Sequence, residues 1–146
     1  GPDDYLLLGA DRVKDHEVLH AAYNDEDGIT AAFNLNLLEV LNRELNADFQ
    51  QAHFEHVALY NSEASQIEMY LESRREQSVC VQALDETLRF EPGDRILTEI
   101  SRKFTPARLE AMLARAGLEM SDHFEAEDAY FSLVLARPAA PARNVP

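Results

Sequence analysis

Glu99 and Ser101 are separated by one residue in Leu97-Thr98-Glu99-Ile100-Ser101-Arg102-Lys103-Phe104-Thr105-Pro106. If that stretch is extended, both side chains lie on one face, because residues two apart in a strand point the same way. An anionic acceptor then stands beside a hydroxyl, just before the chain changes structure. Together they can grip a small planar group such as an imidazole, the carboxylate facing one ring nitrogen and the hydroxyl the other. A site that satisfies both nitrogens rejects apolar analogues, which would leave its polar groups unpaired. The plainer reading of the same pair is a solvated strand face.

The other reactive residue types point to less. His16 and His20 stand i, i+4, a spacing compatible with metal ligation, but neither they nor His53, His56 and His123 fall into a recognisable ligand motif. No metal site is expected. Cys80 is the single cysteine, which excludes an internal disulfide and a cysteine-based zinc site and fits a reducing, cytoplasmic setting. Five glycines are spread too widely to form a G-x-G-x-x-G element. Taken alone, Tyr23 reads as an amphipathic residue at a helix end and Met69 as core filler.

The 146 residues suffice for one domain or a piece of a larger one. A net charge of −14, with 13 scattered basic residues, argues against a nucleic-acid partner, which needs clustered Lys and Arg. No signal peptide and no apolar run of membrane-spanning length is present, so no membrane partner is expected. Gly1-Pro2 looks like the remnant of a cleaved tag, which would put the natural start near Asp3.

The elements that must position Glu99 and Ser101 follow from periodicity. Tyr5 to Asp11 is a short continuous apolar run, the pattern of a strand buried on both faces of a parallel sheet, although it could instead add to a neighbouring meander. Helices are expected from about Lys14 to Tyr23 and from Thr30, as cap, to Leu45, the second with Phe33, Leu37, Leu38, Leu41 and Leu45 at helical spacing. From Phe54 the period becomes two. Val57-Leu59, Ile67-Met69-Leu71, Val79-Val81 and Leu88-Phe90 read as an antiparallel meander with one wet face, continued by the strand of Glu99. Thr105-Pro106 opens a helix that closes at Ala116-Gly117. Two strands follow, Leu118 to Phe124 and Tyr130 to Leu135, around an acidic loop at Glu125 to Asp128. Residues 138–146 carry three prolines and are expected to form a flexible tail.

In order along the chain, Leu7-Leu8-Gly9-Ala10-Asp11-Arg12-Val13-Lys14-Asp15, Ala21-Ala22-Tyr23-Asn24-Asp25, Gly28-Ile29-Thr30-Ala31-Ala32-Phe33-Asn34, Leu41-Asn42-Arg43-Glu44-Leu45, Ile67-Glu68-Met69, Thr98-Glu99, Ser101 and Lys103-Phe104-Thr105-Pro106 resemble one family. It is that of the histidine-specific, S-adenosylmethionine-dependent methyltransferases of ergothioneine biosynthesis, and the likeness is to their C-terminal half. The resemblance implies an α/β fold: the C-terminal part of a class I methyltransferase-like sheet, with an inserted α+β substrate domain that contains the meander. Residues 3–12 and 104–137 would belong to the sheet domain and 13–103 to the insert.

It also implies roles. Tyr23 would help hold the histidine carboxylate, Met69 would line the pocket, and Glu99 and Ser101 would bind the imidazole nitrogens. The intact enzyme would move a methyl group from S-adenosylmethionine to the α-amino nitrogen of histidine or a related small amino acid. The family's Gly-rich donor loop matches nothing here, so this chain alone is expected to lack the donor site and to be inactive. Its expected partners are a histidine-like small molecule and either a missing N-terminal half or another copy of itself, paired through open sheet edges. The alternative is a non-catalytic binding or assembly module derived from the methyltransferase fold.

Overall fold

A computed structural model describes residues 1 and 3–139. The elements run β1 (Leu6–Asp11), α1 (His16–Tyr23), α2 (Ile29–Leu45), β2 (Phe54–Asn61), β3 (Gln66–Ser73), β4 (Gln77–Val81), β5 (Glu86–Phe90), β6 (Arg95–Arg102), α3 (Pro106–Arg115), β7 (Leu118–Glu125) and β8 (Phe131–Pro138). They divide into two units, one formed by Asp15–Ser101 and one by Gly1–Lys14 with the described residues from Arg102 onward. No helix is long and apolar enough to cross a membrane among the described residues.

In the unit that contains both ends, the strand order is β1-β8-β7. β8 pairs antiparallel with both neighbours. Ser132, Val134 and Ala136 alternate onto the buried face of β8, where the apolar ones pack with Ala10 and with Leu109 and Leu113 of α3. Proline stands in the first turn of α3, where its missing N–H costs nothing, and the Thr105 hydroxyl accepts from the Arg108 N–H at 3.3 Å. Gly117, at φ +73°, takes the left-handed turn that ends the helix. The Lys103 side chain is fully buried, and its Nζ donates to Asp11 Oδ2 at 2.7 Å. Burial pushes the Asp11 carboxyl up, but the hydrogen bonds from Lys103 and Lys14 outweigh it and hold the group below its ordinary range.

Two expectations change in this unit. The apolar run at the start does not lie buried on both faces: Leu6 and Leu7 are 43% and 61% exposed and only Ala10 is buried. β1 pairs with β8 rather than joining the meander, and α3 covers one face of the sheet. Pro138 is the last residue of β8 rather than the start of a tail, and the Ala139 N–H donates to the Gly117 carbonyl at 2.8 Å. The remainder of the expected flexible tail, 140–146, lies outside the described residues.

The Asp15–Ser101 unit has strand order β2-β3-β6, with β4 and β5 forming a separate antiparallel pair. A single meander is therefore not formed, because β3 takes β6 rather than β4 as its second neighbour. Pairing of Ala58 with Met69 and of His56 with Leu71 puts Phe54, His56, Ala58 and Tyr60 on the same face as Ile67, Met69 and Leu71. That face is buried. Leu38, Phe49, Phe54, Leu71, Val79, Val81 and Phe90 form one cluster; Leu19, Ala58, Ile67 and Met69 form a second. The Val57-Leu59 face is the outer one, with Leu59 44% exposed. Alternation identifies two faces of β2 but not the one the helices cover.

α2 also departs from its expected start. Thr30 is its second residue; Gly28, at φ +68°, is the cap and offers no side chain. The Asp25 carboxylate fills that place, accepting from the Ile29 and Thr30 N–H groups at 2.7 and 2.9 Å. Hydrogen bonds from the Thr30 side chain, and then from the two backbone amides, lower the Asp25 pKa to about 2. A lowered carboxylate pKa stabilises the fold above the ordinary value of 3.8, and the contribution disappears as pH falls through about 2. Asp25→Ala should therefore lower the melting temperature at neutral pH, and thermal melts in acid should show the gap to the unchanged chain closing over that window.

Candidate functional site

β6 does not keep strict alternation. The Arg95 guanidinium pairs with Glu72 and lies 5.6 Å from the Tyr70 ring, both on the outer face of β3. Six residues on, the Ser101 Oγ accepts from the Tyr23 hydroxyl at 2.8 Å, and Tyr23 packs against the cluster of Ala58, Ile67 and Met69 on the inner face. Residues an even number apart in a regular strand share a face, so the exposure pattern of β6 changes phase between them. The half-buried positions agree: Ile96, Thr98, then Ser101.

Thr98 and Glu99 stand together at the rim of a cavity of about 280 Å³. Its other lining residues are Phe33, Asn34, Asn36, Leu37 and Val40 of α2 and Met69 of β3. The volume is near the lower end of the range for small-molecule sites, roughly 300 Å³. The Thr98 hydroxyl donates to the Met69 carbonyl at 3.0 Å, which ties the rim to β3. A cleft of apolar side chains with Asn34, Asn36 and Thr98 beside one carboxylate suits a flat, largely apolar group that carries an N–H.

The four residues singled out from sequence all lie in this unit. Met69 is 2% exposed and lines the cavity with Glu99, while Tyr23, at the last position of α1, hydrogen-bonds Ser101. A ligand that takes hydrogen bonds from both of these hydroxyls replaces their mutual contact. His16 and His20 have stacked rings, 6.3 Å between centroids. Among the described residues no group of three or more His, Cys, Asp or Glu is placed to hold a metal ion.

Sequence reasoning gave no positioning role to Asn34, to His56 or to the outward side of α2. Phe33 belongs to the apolar stripe read at helical spacing, yet it is 68% exposed, while the adjacent Asn34 is 3% exposed. Asn34 Nδ2 donates to the Tyr70 carbonyl at 3.0 Å and meets His56 Nδ1 at 2.9 Å. The available signal was a phase conflict: shifting the stripe by one residue to bury position 34 leaves Phe33 and Leu37 as cavity walls.

Residues 1–138 match the family model described as histidine-specific methyltransferase, SAM-dependent. The chain belongs to this family. Within it, the chain is 50% identical over 135 residues to the histidine N-alpha-methyltransferase of Mycolicibacterium smegmatis and 49% identical to that of Mycobacterium tuberculosis, covering 92% of this chain and 42% of each relative. A more distant relative, the L-tryptophan methyltransferase of Psilocybe serbica, is 29% identical over 140 residues, covering 92% of this chain and 37% of its own length. The chain thus spans less than half the length of the curated family members it matches.

Met69 both fills the core and walls the cavity. Met69→Ala should destabilise the fold by about 2–5 kcal/mol, the usual cost of truncating a buried side chain. Urea denaturation with an unchanged m-value checks this.

Proposed function

We propose that this chain is the substrate-recognition part of an S-adenosylmethionine-dependent methyltransferase that acts on the α-amino group of histidine. One observation carries the reading: Glu99 stands on the rim of a cavity walled by Met69, in the unit where the Tyr23 hydroxyl reaches Ser101. On this reading the Glu99 carboxylate accepts from one imidazole N–H and Ser101 serves the other nitrogen. Met69 packs against the ring, and Tyr23 turns its hydroxyl to the substrate carboxylate.

The amine must be neutral to react, and none of these four residues is placed as its base. Their contribution is orientation, holding the substrate by its ring and its carboxylate so that the amine projects in a fixed direction. The described glycines do not build a seat for the methyl donor. A side chain at Gly9 would meet the Phe131 ring at 2.7 Å, which marks a packing contact, and Gly28, Gly93 and Gly117 serve positive-φ turns. We assign the donor site to residues of the parent protein outside those described.

We further assign residues 3–12 and 104–137 to a class I methyltransferase-like domain, with 13–103 as the inserted substrate domain of a cytoplasmic enzyme. The division into Gly1–Lys14 with Arg102 onward, and Asp15–Ser101, supports this. So does the exposure of Leu7, Phe124, Phe131 and Leu133, whose pairing places them on the sheet face opposite α3. The rest of the parent chain, rather than a second copy, is the assigned cover for that face.

The relative named for tryptophan sets the competing substrate. Indole offers one N–H and no second ring acceptor, so it can satisfy Glu99 but not Ser101. In the full-length parent, methyl transfer from S-adenosylmethionine should favour histidine over tryptophan. Glu99→Gln should raise the KM for histidine by at least about tenfold, the value of one charge-assisted hydrogen bond. Histidine methylation insensitive to Glu99→Gln would sink the assigned clamp, and absence of histidine binding would favour a non-catalytic module.

A further inference from the structure

We propose that Asn34 and His56 form a one-way hydrogen-bond relay that positions Tyr23 for the substrate carboxylate; the proposal rests on the histidine reading of the site. The direction of the relay follows from its partners. Asn34 Nδ2 donates to the Tyr70 carbonyl at 3.0 Å, which identifies that end of the amide as the NH2 group. The same nitrogen lies 2.9 Å from His56 Nδ1, so Nδ1 is the acceptor. The ring proton is therefore on Nε2, which donates to the Tyr23 carbonyl at 2.8 Å.

That carbonyl belongs to the last residue of α1. The next residue adds a second tie, with the Asn24 side chain donating to the Ala58 carbonyl at 3.3 Å. His56 and Ala58 are both on the inner face of β2, so the end of α1 is pinned to that strand at two points. Tyr23 leaves from the pinned residue, and its hydroxyl ends 2.8 Å from Ser101. A hydrogen bond tolerates only a few tenths of an ångström and a modest angle, so moving the root of Tyr23 moves its hydroxyl out of reach.

A core leucine at position 34 would avoid burying an amide, which loses its water on folding. What the amide adds is a fixed tautomer at His56. Asn34 and His56 are thus positioning residues that act through Tyr23.

The test uses the full-length parent enzyme. Asn34→Leu keeps the size of the side chain and removes the donor. It should raise the KM for histidine by about tenfold with kcat within about twofold, as expected for lost orientation of a binding group. In a Tyr23→Phe background, Asn34→Leu should add no further KM effect, because the hydroxyl it positions is gone. A long-range nitrogen–proton NMR spectrum should show His56 protonated at Nε2 alone, and at both nitrogens in Asn34→Asp, where both neighbours accept. Equal KM losses in both backgrounds, an unchanged KM in Asn34→Leu, or an Nδ1–H tautomer in the unsubstituted enzyme overturns the relay while leaving the histidine reading intact. A Tyr23→Phe enzyme with unchanged histidine KM overturns the role given to Tyr23 itself, and the relay with it.

Discussion

Burial of one face of β2 and β3 beneath α1 and α2 is the constraint on which the rest of the Asp15–Ser101 unit depends. Each fully buried Leu or Met contributes about 1.5–3 kcal/mol, against about 0.5–1.5 kcal/mol for a typical hydrogen bond, so the apolar clusters decide which face turns inward. Once Leu71 and Ile67 are inside, Met69 and His56 share that face, and Asn34 meets His56 from α2. The polar contacts do not choose the fold. They fix orientations within a face that apolar burial has already chosen.

The change of phase along β6 shapes the candidate site on that scaffold. Strict alternation would leave Ser101 on the side of Arg95, which is engaged with Glu72 and Tyr70 on the outer face. Ser101 instead meets Tyr23, while the adjacent Thr98 and Glu99 both line the cavity. Strands that change phase beside a cavity are a recurring means of aiming a polar side chain without moving the sheet. On the proposed reading, the same change of phase sets the ring-binding and carboxylate-binding groups near one another.

Much of the element plan was legible in the sequence, for local reasons. Thr105-Pro106 and Ala116-Gly117 bracket α3 through cap chemistry and a left-handed turn, both properties of a few adjacent residues. The period of two located β2 to β6, and Glu99 and Ser101 drew notice because a carboxylate and a hydroxyl at that spacing can share a face. The start of α2 was misplaced because its cap comes from Asp25, several residues upstream and outside the helix. Val57-Leu59 marked the strand but not its buried face, because alternation has two phases and only packing against α1 and α2 selects between them.

What the sequence determined by itself was periodicity, turn chemistry, charge and family: properties carried by neighbouring residues or by the ordered wording of the chain. Tertiary structure decided which strands pair, which face of β2 is buried, that β4 and β5 stand apart, and that Phe33 walls a cavity while Asn34 is enclosed. These are contacts between residues far apart in sequence, and their energies depend on what each face meets. The four candidate site residues show the division most clearly. Their chemical types were readable in the chain, whereas the cavity beside Glu99 and the Tyr23–Ser101 bond exist only because two helices and a phase-shifted strand bring distant residues together.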